Sequence, residues 1–136
     1  MSRRDFLDTN ILVYAFDVAD PHKQKTAKAL LARAVVGEFA VSIQVLAELA
    51  SILIEKYKYE VARVITILES LRPIPLIQPD ADMVRRAVEA RGACGVHFYD
   101  GMIIAAAERA GSTKIWSEDL SPGQKYFGVE VVNPFT

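Results

Sequence analysis

Short apolar runs with the character of strands alternate with stretches in which apolar residues recur at helical spacing. Residues 4–7 read as a strand, followed by an apolar helical turn over 11–16. The breaker Asp20-Pro21 starts a helix over 22–36, with Ala27, Leu30, Leu31, Ala34 and Val35 on one face and Lys23, Lys25, Lys28 and Arg33 mostly off it. Residues 39–43 form a second strand and 44–57 a helix striped by Val45, Leu49, Ile52 and Leu53. A helix over 60–71 ends before Pro73 and Pro75, a short strand follows at Leu76-Ile77, and Asp80 caps a helix that reaches Gly92. The last elements are a helix over 99–111 and strands over 114–117 and 129–132. Strands interleaved with helices predict an α/β fold, with a mainly parallel central sheet, right-handed crossovers and helices on both faces.

That architecture decides which distant side chains can meet. Helices run antiparallel to the strands, so strand C-termini and helix N-termini share one rim, where ligands of such sheets bind. Asp8 lies just past the first strand, Asp119 just past the strand over 114–117, and Asp100 in the first turn of the helix leading into that strand. Glu48 is little more than one turn into the helix after the second strand. Each also suits a plainer role. Asp8 and Asp100 are good helix caps, Glu48 sits at the edge of an apolar stripe, and Asp119 competes with Glu118 for the inward position. Asp100, however, falls on the helix face of Ile103, Ile104 and Ala107, where an unpaired carboxylate costs several kcal/mol. It requires a partner, and a cation is the obvious one.

Composition narrows the chemistry. The chain of 136 residues is expected to form one domain, 1–136, burying about two-thirds of the surface its unfolded form exposes. Hydrophobic residues at 51% and charged residues at 24% suit a soluble globular protein. The longest apolar runs, such as 102–107, fall far short of the roughly 18 residues of a membrane span. The start Met1-Ser2-Arg3-Arg4-Asp5 carries no signal-peptide pattern, so a cytoplasmic location is expected. Cys94, the sole cysteine, excludes an internal disulfide and reads as a buried structural thiol. A net charge of −1 offers nucleic acid no global attraction, so such a substrate has to be held by local patches and metal ions.

Carboxylates about 5 Å apart repel by roughly 3 kcal/mol per pair at an effective dielectric near 20, and a divalent cation reverses that sign. With only His22, His97 and one cysteine, a zinc site of nitrogen and sulfur ligands is poorly supplied. Oxygen-only ligation suits Mg²⁺ or Mn²⁺, which lowers the pKa of a bound water and stabilises charge on a phosphodiester under attack.

Several segments carry a resemblance. Phe6-Leu7-Asp8-Thr9-Asn10-Ile11-Leu12, the helix start Gln44-Val45-Leu46-Ala47-Glu48, Tyr99-Asp100 leading to Ile103-Ile104-Ala105-Ala106-Ala107, and Ser117-Glu118-Asp119-Leu120 with Asn133-Pro134-Phe135 resemble the PIN-domain ribonucleases. Within that family the chain looks like a VapC-type toxin of a toxin–antitoxin pair, over essentially its whole length. The resemblance implies a PIN-like three-layer fold and Mg²⁺- or Mn²⁺-dependent cleavage of single-stranded or structured RNA, leaving a 5′ phosphate and a 3′ hydroxyl. It also implies homodimers and inhibition by a small cognate antitoxin. Carried over by position, Asp8, Glu48 and Asp100 are the main catalytic and metal-binding carboxylates, and Asp119 is the fourth. Asn10, Thr9 and Ser117 orient carboxylates or waters, and Glu118 leaves the identity of the fourth ligand open. Gly101 stands where many relatives have alanine, which is expected to loosen that helix start by up to about 1 kcal/mol.

RNA contacts are sought at Lys23, Lys25, Lys28, Lys56, Lys58, Arg85, Arg86 and Arg91, with Tyr99 a candidate for base stacking and Trp116 read as core. Other classes fit less well. A haloacid-dehalogenase-type phosphotransferase wants a second Asp where Asn10 stands, and a phospho-receiver domain wants a lysine at the end of a late strand, whereas Lys114 begins one. Within the family the alternatives are a non-toxin nuclease of RNA processing and a catalytically silent binding module. All four acids are present, which leaves the silent module without support.

Overall fold

The computed structural model describes residues 4–136; Met1 to Arg3, the start of the segment read for a leader, lie outside them. The strands are β1 (Asp5–Leu7), β2 (Phe39–Ser42), β3 (Leu76–Ile77), β4 (Lys114–Trp116), β5 (Lys125–Tyr126) and β6 (Val129–Val132). They form one sheet in the order β3-β2-β1-β4-β6-β5, parallel throughout except for β5 against β6. The helices are α1 (Thr9–Tyr14), α2 (Pro21–Val35), α3 (Ile43–Ser51), α4 (Val61–Ser70), α5 (Ala81–Cys94) and α6 (Phe98–Arg109). From β1 the chain steps outward to β2 and β3, then returns past β1 to β4 and β6. Right-handed crossovers therefore put α1 to α4 on one face and α5 and α6 on the other. The order diverges between β1 and β4, which makes their C-terminal ends the switch point at which a cleft opens.

Helices on both faces leave β1 and β2 buried on both sides, so their consecutive residues are core. Phe6, Leu7, Phe39, Val41, Ile115 and Val131 of the sheet pack with Ile11, Leu12, Val45, Leu49, Leu53, Ile103 and Ile104 of the helices in one buried cluster. The helix starts are capped as their sequences demand. Asp8, Asp20, Ser42 and Asp80 each accept from a backbone N–H at the head of α1, α2, α3 and α5. Among the described residues no helix is long and apolar enough to cross a membrane.

Several expectations are corrected. The helix over 44–57 is not continuous: α3 ends at Ser51, and Ile52–Lys56 winds as a π-helical turn in which the Tyr57 N–H reaches the Ile52 carbonyl at 3.1 Å. The antiparallel edge strand β5 is absent from the sequence reading, because two residues carry no periodicity. Trp116 is half-buried, not core, with its indole N–H on Asp5 Oδ2 at 3.2 Å. Cys94 is half-buried as well.

Gly101 has a different meaning from the one read in the sequence. A Cβ there would stand 2.7 Å from the Ala87 carbonyl oxygen and 3.2 Å from the Ala87 Cα. The bare glycine lets α6 lie directly against α5, with Ala87 and Ala90 buried in the seam. This contact fixes the first turn of α6, and with it Asp100.

Candidate active site

Asp8 forms the floor of the cleft. It follows β1, caps α1 and is 5% exposed. Its Oδ1 accepts from the Thr9 N–H at 2.7 Å, and its Oδ2 accepts from the Ser117 hydroxyl at 2.8 Å and the Asn10 amide at 3.3 Å. All three donors are neutral. Burial therefore dominates, opposed by the bonds from Ser117 and Thr9 and reinforced by the charges of Asp119 and Asp100, and the pKa is raised from 3.8 to about 6.

The other acids stand progressively further out. Asp100, half-buried in the first turn of α6, has its pKa raised by desolvation and by Asp119, with His97 acting the other way. Asp119 is exposed, and its Oδ2 accepts from Asn10 Nδ2 at 3.1 Å, the same amide that reaches Asp8. Glu48 is exposed on α3, its Oε1 accepting from the Thr9 hydroxyl at 3.3 Å and Gln44 Nε2 at 3.0 Å. Asp8, Glu48, Asp100, Asp119 and Glu118 all line one cleft of about 270 Å³ with Thr9, Asn10, Tyr14, Lys56 and Tyr57.

The carboxylates do not form a closed cage. No three Asp, Glu, His or Cys side chains among the described residues are placed to hold one ion together. A hard dication that keeps several waters needs only one or two carboxylates. Asp8 is a buried acid without a cationic hydrogen-bond partner among the described residues, and the acidic side chains that line the cleft with it, Glu48, Asp100, Glu118 and Asp119, offer only oxygen. The residues present fit such an ion, held by a pair of carboxylates and otherwise by water.

A PIN domain model matches residues 6–125 of the chain. The chain belongs to the PIN domain family. Among solved structures, a toxin–antitoxin complex from Klebsiella pneumoniae superposes with a TM-score of 0.72 at 22% identity, covering 96% of this chain and 97% of that one. VapC20 of Mycobacterium tuberculosis, a toxin that cleaves the sarcin–ricin loop, gives a TM-score of 0.65 at 20% identity over 81% of this chain and 85% of that chain. VapBC2 from Rickettsia felis, bound to a promoter DNA fragment, gives 0.64 at 19% identity over 93% and 95%. Comparison with curated proteins gave no match.

In this PIN domain Ser117 and Asn10 do more than point at one acid. Ser117 Oγ accepts from the Asp119 and Leu120 N–H groups, and Asn10 Oδ1 accepts from the Glu118 N–H, so the loop after β4 is sewn to the head of α1. Glu118 is engaged elsewhere: Lys23 and Tyr14 bond its two oxygens. Tyr99 is 60% exposed and projects at the α6 start beside His97 and Phe98. Arg85 and Arg86 do not join the cleft. They line a separate depression between α5 and α6, paired with Glu89 and Glu108. Of the other basic residues, Lys56 lines the acidic cleft and Arg91 is bonded to the Val96 carbonyl. Lys25 lines an apolar cavity beside Leu30 and Trp116.

Gln44, absent from the sequence reading as a site residue, donates to both Glu48 Oε1 and the Tyr99 carbonyl at 3.1 Å. One amide thus joins the helices that carry Glu48 and Asp100. Its position four residues before Glu48 was the available signal, since i and i+4 share a helix face.

Proposed function

We propose that the protein is a Mg²⁺- or Mn²⁺-dependent endoribonuclease, a single PIN domain that hydrolyses RNA phosphodiester bonds in the cytoplasm, and the toxin of a pair neutralised by a cognate antitoxin. The observation that carries this reading is the convergence of Asp8, Glu48, Asp100 and Asp119 on one cleft at the switch point, where neutral groups are the only hydrogen-bond donors to Asp8, Glu48 and Asp119 among the described residues. The likeness in fold to toxin–antitoxin complexes and to a toxin that cleaves the sarcin–ricin loop supports the toxin role. Val61 and Ile65, 62% and 55% exposed on α4, support a homodimer in which that face is covered.

The dication, when bound, lowers the pKa of the attacking water and stabilises charge on the phosphoryl oxygens. Asp8 supplies a carboxylate that its three donors hold in one orientation. Asn10 ties Asp119 to it, Thr9 and Gln44 hold Glu48 at the rim, and the α5–α6 contact holds Asp100. Lys56 in the cleft lining and Tyr99 next to Asp100 at the start of α6 are the groups suited to backbone and base contact, respectively.

Purified protein incubated with single-stranded and structured RNA is expected to cleave in Mg²⁺ or Mn²⁺ and to stop in EDTA. Products should carry 5′ phosphates and 3′ hydroxyls, and Asp8→Asn and Asp100→Asn should each abolish cleavage. Cleavage that survives both substitutions, or that proceeds in EDTA, overturns the proposal. Inhibition by the product of a short adjacent reading frame tests the toxin role.

A further inference from the structure

Two neighbouring acids, Glu118 and Asp119, both reach the cleft, yet among the described residues only Glu118 has a cationic partner. Glu118 Oε1 accepts from the Tyr14 hydroxyl at 2.6 Å, and its Oε2 accepts from Lys23 Nζ at 2.5 Å. The ammonium also lies 4.7 Å from the Tyr14 ring centroid and 5.5 Å from that of Phe135, and these two rings meet edge to face at 5.0 Å. Four separate parts of the chain close on this point: α1, the first turn of α2, the loop after β4 and the C-terminal segment. Burial tends to raise the Glu118 pKa, but the bonds from Lys23 and Tyr14 outweigh it and hold the carboxyl below its usual range. Among the described residues Asp119 has no cationic partner, and it hangs from Asn10 on the side of Asp8.

We propose that Lys23 is a positioning residue: by engaging Glu118 it holds that carboxylate away from Asp8 and makes Asp119 the acid of the pair that faces Asp8. The inference rests on the reading of the cleft as a dication site. Both oxygens of Glu118 are occupied, so turning it inward breaks two hydrogen bonds, one of them to an ammonium. With Lys23 removed those restraints vanish. Glu118 already lines the cleft, so a change of rotamer suffices to turn its carboxylate toward Asp8. Glu118 then substitutes for Asp119.

The test is Mn²⁺ binding to the full chain, followed by electron paramagnetic resonance titration and by the metal-induced shift of the thermal midpoint. Asp119→Asn is expected to weaken binding about tenfold in the wild-type background, the scale seen when a group supporting a metal is lost. In a Lys23→Met or Lys23→Gln background the same substitution should cost less than about twofold, because Glu118 takes over. Adding Glu118→Gln should restore the tenfold loss, and Lys23→Arg should behave as wild type. An Asp119→Asn penalty that is equal with and without Lys23 overturns the clamp alone. Wild-type protein that fails to bind Mn²⁺, or that binds it no better than Asp8→Asn, overturns the dication reading and the clamp with it.

Discussion

Asp8→Asn should make the metal-free protein more stable, and by an amount that depends on pH. In the folded chain burial raises the Asp8 pKa from 3.8 to about 6. A shift of about two units corresponds to roughly 3 kcal/mol between the two protonation states. The sign follows from proton counting. Between about pH 4 and 6 the folded state keeps a proton that the unfolded chain releases, so stability falls as pH rises through that window and stays reduced above it. Asparagine stands in for the uncharged form, and its carbonyl can accept from Thr9 as the carboxylate does. Urea denaturation of both proteins in EDTA, followed by circular dichroism from pH 4 to 7.5, should give nearly equal stabilities at pH 4. At pH 7.5 the variant should lead by up to about 3 kcal/mol. Mn²⁺ at 100 times its Kd should cancel most of that lead, adding about 2.7 kcal/mol to the form that binds it, and at 1,000 times its Kd should reverse the order, adding about 4.1 kcal/mol. A difference that is flat in pH, or a variant less stable at neutral pH without metal, would refute the reasoning.

Three further outcomes are expected. Gly101→Ala gains up to about 1 kcal/mol of helix propensity but drives a methyl against the Ala87 carbonyl, an overpacking that costs about 1–3 kcal/mol. Its urea midpoint should therefore fall, and a midpoint at or above wild type would show that α5 and α6 separate freely. Gln44→Ala should slow RNA cleavage about tenfold with an unchanged circular dichroism spectrum, and an unchanged rate would mean that Thr9 alone suffices to hold Glu48. Arg86, bidentate to Glu108 and stacked 3.5 Å from the Phe127 ring centroid, braces a hairpin whose Phe127 has φ +51°. Arg86→Ala should cost about 1 kcal/mol of stability and leave the cleavage rate within about twofold, whereas a large loss of rate at full stability would restore Arg86 as a substrate contact.

What the sequence made legible follows from what periodicity and topology encode. The helices that carry Glu48 and Asp100 show clear apolar faces, and β1 and β4, though only three residues each, are mostly apolar and lie beside helical stretches, so the order of elements, and hence the shared rim of Asp8, Glu48, Asp100 and Asp119, could be read from the sequence. Features set by local hydrogen bonding between distant segments could not. The choice between Glu118 and Asp119 depends on Lys23, which lies on another helix, and the bridging role of Gln44 depends on a carbonyl 55 residues away. The π turn at Ile52–Lys56 continues the apolar stripe of α3, so no pattern distinguishes it from an α-helix. Gly101 looked like a weakness because its partner, the backbone of Ala87, carries no signature in the sequence.

The floor of the cleft is also the centre of the sheet. The Asp8 N–H bonds the Trp116 carbonyl at 3.0 Å, and the Ser117 N–H bonds that of Val132 at 2.9 Å, so the residues that hold the buried carboxylate are the last rungs of the β1–β4 and β4–β6 ladders. Opening the site from beneath means opening the central strands, an event close in free energy to global unfolding. Occupancy should accordingly be reported by the slowest-exchanging amides of β1 and β4, which would gain protection when a ligand draws on Asp8. The exposed rim around Glu48 and Asp119 would exchange at nearly the same rate with or without it.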